Sequence, residues 1–124
     1  MIEKTIGSKK CFIYQNENAS NCLIQPVDAH DLELLDKEIE AIRQLTEKPF
    51  ILAAFLIEDW NRELSPWEAP AVFGKENFGA GAPETLSFII ENLIPYIKNE
   101  YNGIKNFYLG GYSLAGLFSL WAGY

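Results

Sequence analysis

The run Phe50-Ile51-Leu52-Ala53-Ala54-Phe55-Leu56-Ile57 contains eight residues and no polar side chain. It is too short to cross a bilayer, which takes about 20 apolar residues in a helix. It lacks the apolar–polar alternation of a strand with one wet face. Such a segment suits a parallel strand buried on both faces, and that requires helices above and below the sheet. The flanking sequence supplies them. Leu32, Leu35, Ile39, Ile42 and Leu45 recur at steps of three and four within 31–48, the period of one helix face. Asp31 is the expected N-cap and Pro49 the expected stop. Leu86, Ile90, Leu93, Ile97 and Tyr101 repeat the pattern within 83–101. Pro83 suits the first turn of that helix, and Pro95 should kink or split it.

The remaining segments read as strands and one loop. Residues 3–6 and 10–15 flank Gly7-Ser8 as a hairpin. Residues 22–27 form an apolar run in which Pro26 is expected to stop ladder pairing. Residues 105–109 form the last strand, followed by a final apolar helix. Strands alternating with helices predict an α/β fold with three layers, a mostly parallel sheet and helices on both faces. The 124 residues suit a single domain spanning 1–124. Residues 58–82 are a long irregular stretch holding Trp60, Trp67, Phe73 and Phe78, which argue for a packed loop.

A net charge of −7 argues against nucleic acid or an anionic membrane surface as partner. The N-terminus has no apolar core of a secretory signal, so a cytoplasmic location is expected. Cys11 and Cys22 are too far apart for a metal or redox motif and read as buried free thiols. His30 is the single histidine and cannot build a metal site by itself. No metal and no cofactor are expected. The acidic stretch 28–40 reads as a solvated helix face.

Gly111-Tyr112-Ser113-Leu114-Ala115 matches G-x-S-x-[GA]. By average composition the pattern arises by chance in about one in ten chains of this length. Its setting sharpens it, because a strand precedes it and an apolar helix follows. Strand, tight turn and helix are what a nucleophile elbow requires. Residues two before and two after the serine must be small, or their β-carbons collide, and Gly111 and Ala115 meet that condition. Ser113 is the candidate nucleophile. It would sit at a helix N-terminus, where backbone N–H groups stabilise a developing oxyanion. The expected donors are the N–H of Leu114 and one from the loop after 22–27, Ala29 first and His30 next. The competing reading is a strand-to-helix turn with a capping serine and no chemistry.

From about Cys22 to Trp121 the chain resembles the alpha/beta-hydrolase superfamily, and within it the esterases related to esterase D and enterochelin esterase. The residues that carry the resemblance run from Leu109 through Gly110-Gly111-Tyr112-Ser113-Leu114-Ala115-Gly116-Leu117 to Phe118, with Trp121 after them. Residues 59–67, Asp59-Trp60-Asn61-Arg62-Glu63-Leu64-Ser65-Pro66-Trp67, also look like a loop of such esterases. The resemblance implies strand order 1-2-4-3-5, a carboxylic-ester hydrolase with Ser113 as nucleophile, and a small-molecule ester substrate. It sets the 58–82 loop beside the substrate pocket, for which His30, Asp59, Trp60 and Trp67 are the candidates. Trp60 and Trp67 serve equally well as anchors of the loop, and Glu58 with Asp59 as its solvated start.

The departure from the family is large. In these hydrolases the triad acid and histidine follow the serine in chain order. Eleven residues follow Ser113, with no Asp, Glu or His among them. A rearranged triad of Ser113, His30 and Asp28 or Asp31 is the weaker alternative. The expectation is therefore the N-terminal part of a hydrolase domain, inactive by itself. A chain of this kind would also leave its last strand as an open edge, which predicts self-association or a completing partner chain. The reading from another class is a non-catalytic α/β module that binds or assembles.

Overall fold

The computed structural model describes residues 1–68, 70, 79–111 and 114–123. Strands β1 (Ile2–Ile6) and β2 (Lys9–Tyr14) form the expected hairpin. Gly7 turns it at φ +60°, a conformation open to glycine at little cost. Strand β3 spans Asn21–Val27, β4 Phe50–Leu56 and β5 Asn106–Leu109. The sheet order is β1-β2-β4-β3-β5. β2 pairs antiparallel with both neighbours, and the β4–β3 and β3–β5 pairs are parallel. Four of the five strands therefore point one way, and β2 alone runs against them.

β4 is the buried strand that its composition requires, with Ile51 to Phe55 all at 0% exposure. Pro26 corrects one expectation. It stays in the β3–β4 ladder opposite Phe55, and pairing continues to Val27. The Ile24 carbonyl accepts from Gly110 N–H beside β5, whereas the Val27 carbonyl accepts from Ile57 N–H beside β4. Backbone groups alternate sides along a strand, so the donor that Pro26 lacks belongs to the β5 side. The β3–β5 register ends at Ile24 and Leu109, so no ladder bond is lost there.

The helix expected over 31–48 is two helices, α1 (Ala29–Glu33) and α2 (Leu35–Leu45), broken at Leu34. The N-cap is Asp28 rather than Asp31. The Asp28 carboxylate accepts from Asp31 N–H, and the Asp31 side chain accepts from Asp28 N–H, a reciprocal capping box. α3 (Trp60–Glu63) lies within the long loop. The second long helix runs as α4 (Ala82–Phe88), a π-helical turn (Ile89–Leu93) and α5 (Ile94–Glu100). Pro95 thus widens the helix just before it and does not split it. The wide turn, with Ile94 N–H bonded to the Ile89 carbonyl, accommodates a ring that would crowd an α-helical turn. α6 spans Leu114–Ala122.

α4–α5 and α6 pack on one face of the sheet, where Phe88, Leu93, Ile97 and Phe118 meet Ile13, Ile24, Ile51 and Phe55. α2 packs on the other, where Leu35 and Ile39 meet Val27, Leu52 and Ala54. Cys11 and Cys22 are buried free thiols, and burial pushes them up to about 11 and about 12. Among the described residues no helix is long and apolar enough to cross a membrane.

Candidate functional site

Because β3, β4 and β5 are parallel, their carboxyl ends at Val27, Leu56 and Leu109 share one edge of the sheet. Ligands bind along this edge in open α/β sheets. Three turns leave it: Asp28 into α1, Glu58-Asp59 into α3, and Gly110-Gly111 toward α6.

The third turn is the tightest. Gly110 N–H extends the ladder by a bond of 3.0 Å to the Ile24 carbonyl. Gly111 then takes φ +154°, which side-chain-bearing residues rarely adopt. A β-carbon placed on Gly111 would lie 2.6 Å from the Ala115 β-carbon. Non-bonded carbons settle at about 3.5–4.0 Å, so only glycine fits opposite Ala115. A β-carbon placed on Gly116 would lie 3.3 Å from the Gly111 carbonyl oxygen, so the helix folds back closely on the turn. Ala115 is itself buried, and Phe118 one turn later is at 0% exposure. The strand and helix are therefore held in place by the main core. Tyr112 and Ser113 lie outside the described residues. Leu114 opens α6, so its N–H has no acceptor within the helix.

Ala29 opens α1 just past the end of β3, the neighbour of β5. Its N–H is likewise at a helix start. Asp28, Ala29, His30, Leu56, Ile57 and Glu58 line an open concavity of about 420 Å³. His30 is exposed on its rim. The carboxylates of Asp28 and Asp31 bond the first turn of α1, so capping already accounts for the two acids that a rearranged triad would recruit.

Asp59 caps α3, accepting from Arg62 N–H at 3.4 Å and pairing with Arg62 Nε at 3.3 Å. Trp60 packs against the main core, and Trp67 is 54% exposed. Trp60 thus anchors the loop, and Trp67 stands out from it. Phe73 and Phe78 lie outside the described residues.

Sequence reading missed Glu63, which is buried at 8% exposure. One carboxylate oxygen takes Lys9 Nζ at 2.5 Å. The other accepts the N–H groups of Glu58 and Asp59 at 3.1 and 2.7 Å. Burial works against its charge, but the Lys9 and Asp59 N–H hydrogen bonds outweigh burial and hold its pKa below the usual value. Thr85 Oγ1 donates to the Glu63 carbonyl at 2.6 Å, which ties α3 to α4. Glu63 therefore fixes the turn after β4 from inside. Lys9, Glu63, Asp59 and Arg62 belong to a second, polar cavity of about 560 Å³ beside the hairpin. The sequence signal for Glu63 is faint, because its main partner is 54 residues away. Among the described residues no three His, Cys, Asp or Glu side chains group as metal ligands.

No protein-family model and no curated protein matches the chain. Two solved structures are similar to it. One is the siderophore hydrolase EstA from Aspergillus nidulans, at TM-score 0.66 and 20% identity over 92% of this chain and 47% of that one. The other is an IroE-like serine hydrolase from Shewanella oneidensis, at TM-score 0.70 and 19% identity over 92% of this chain and 41% of that one. The chain therefore spans less than half the length of either. The likeness is one of fold: this is a mixed α/β sheet in strand order 1-2-4-3-5, similar in fold to both structures.

Proposed function

We propose that Ser113 is the nucleophile of an esterase-type serine hydrolase acting on a small-molecule ester. The observation that carries this reading is the 2.6 Å approach between the Gly111 and Ala115 β-carbon positions, between a strand and a helix on the carboxyl edge. A capping serine alone has no need of so close a turn. The Ser113 hydroxyl attacks the ester carbonyl carbon, and its proton passes to a base. The N–H groups of Leu114 and Ala29 receive the oxyanion, and collapse expels the alcohol and leaves an acyl-serine. Water then releases the acid by the same route. His30, Asp59, Trp60 and Trp67 are the proposed pocket residues, with His30 as a rim contact.

A serine without a base is a weak nucleophile near neutral pH. The 124 residues offer no Asp, Glu or His after Ser113, so the triad acid and histidine are assigned to polypeptide beyond this sequence. Turnover of p-nitrophenyl esters tests this. One similar structure is a siderophore hydrolase, so siderophores join the assay. The 124-residue chain is expected to show no turnover. The chain read through to its stop codon is expected to show turnover that Ser113→Ala abolishes. Ser113-dependent turnover by the short chain overturns the incomplete triad. A longer chain with no Ser113-dependent turnover overturns the hydrolase reading and favours a non-catalytic module.

A further inference from the structure

The turn after β4 runs between two buried residues, Ile57 at 3% exposure and Leu64 at 0%. Between them Glu58 and Asp59 reach the surface. Their N–H groups both end on one oxygen of the buried Glu63 carboxylate. The other oxygen takes the Lys9 ammonium from β2, which lies 5.8 Å from the centroid of the Phe88 ring on α4. The carboxylate is thus clamped from the hairpin side, and its second oxygen is aimed at the turn. Two charges at 15% and 11% side-chain exposure are a poor means of adding stability, because apolar side chains of like volume often do as well. What apolar side chains cannot do is accept the two N–H groups.

The turn has a place in the site. Leu56 and Glu58 line both the open concavity that holds Ala29 and His30 and the polar cavity beside the hairpin. They form the wall common to the two, and Glu58 is the residue whose N–H Glu63 holds. We propose that Glu63 is a positioning residue: clamped by Lys9, it sets this wall, and through the wall it sets how tightly an ester binds. For the ester the inference rests on the pocket proposed around Ser113; for the wall it rests on the hydrogen bonds alone. Glu63 touches no substrate and acts through the backbone of Glu58 and Asp59.

Two double variants separate positioning from stability. Lys9→Met with Glu63→Leu replaces the pair by apolar side chains and leaves the Glu58 and Asp59 N–H groups to water, which reaches both exposed residues. Lys9→Met with Glu63→Gln also removes the ion pair but keeps an acceptor. Both are expected to fold; Lys9→Met with Glu63→Met serves the same comparison if the leucine variant does not. Amide hydrogen exchange at 58 and 59 is expected to quicken by about tenfold or more in the leucine variant and to stay near wild type in the glutamine variant. Spin labels at Glu58→Cys and His30→Cys read the wall across the concavity, with Cys11 and Cys22, at 0% exposure, left unlabelled. The spread of distances between the labels should widen in the leucine variant only. On the chain read through to its stop codon, KM for p-nitrophenyl butyrate should rise about tenfold in the leucine variant, with kcat within about twofold, and return in the glutamine variant. Unchanged exchange and distances in the leucine variant overturn the proposal, as does a disturbed wall with KM unmoved. Equal losses in both variants also overturn it, because they would come from the ion pair and not from the acceptor. A wild-type chain without Ser113-dependent turnover overturns the hydrolase reading instead, and exchange and distances then decide the wall alone.

Discussion

On the α4–α6 face of the sheet, Phe55, Leu93, Ile97 and Phe118 are all at 0% exposure; on the α2 face, burial stops at Ile39, and Leu45 two turns on is 87% exposed. Both faces carry apolar residues at the right period, so pattern alone does not separate them. What separates them is how far the described residues cover each face. The turn at Gly111 belongs to the closed face, because Ala115 and Phe118 lock α6 into its core. The start of α6 is thus held by packing against that core. The open face carries none of that burden.

Substitutions break or sharpen this contrast in order of size. Phe118→Ala empties a fully buried aromatic site on the closed face, at a cost of about 4 kcal/mol by urea unfolding. A loss under 1 kcal/mol would mean that α6 is not locked to the core. Gly111→Ala meets both the positive φ and the Ala115 β-carbon, and should cost about 3 kcal/mol. A neutral result would remove the tight turn from the account. Glu63→Gln keeps an acceptor for the Glu58 and Asp59 N–H groups but gives up the charge paired with Lys9, and should cost about 2 kcal/mol at neutral pH.

That last effect depends on pH. The folded pKa of Glu63 lies below the ordinary 4.5. Its stabilisation is therefore complete above that value and is lost as pH falls through the folded pKa. The gap between wild type and Glu63→Gln should close on acidification below about pH 4.5, and a constant gap would contradict the pairing. The smallest effect belongs to the open face. Leu45→Ala in the 124-residue chain should stay within about 0.5 kcal/mol. A larger loss would mean that Leu45 already has a cover.

Much of the fold was legible because it follows from local pattern. The unbroken run of β4, the hairpin at Gly7 and the period of α4–α5 each declare themselves within a few residues. The strand order follows from the family resemblance carried by Leu109 to Phe118, and the observed strand pairing agrees with it. What pattern cannot register is a one-residue break such as Leu34, since the apolar steps on either side stay in phase. It cannot see that Pro26 faces a side where the neighbouring ladder has already ended. It cannot give the form in which a helix accommodates Pro95. Of the site, the small residues at 111 and 115 were legible from sterics alone. Glu63 was not, because its chemistry is made by Lys9 across the sheet. Leu45 shares the apolar face of its helix by period yet is 87% exposed, because periodicity sets a face and not how far it is covered.

The role of Ser113 is tested most directly by a fluorophosphonate probe, read by intact mass and peptide mapping on the chain read through to its stop codon. The account predicts a single adduct on Ser113, abolished by Ser113→Ala, with Ser8, Ser20, Ser65, Ser87 and Ser119 unmodified. A folded chain that takes no adduct, or takes it on another serine, would contradict it.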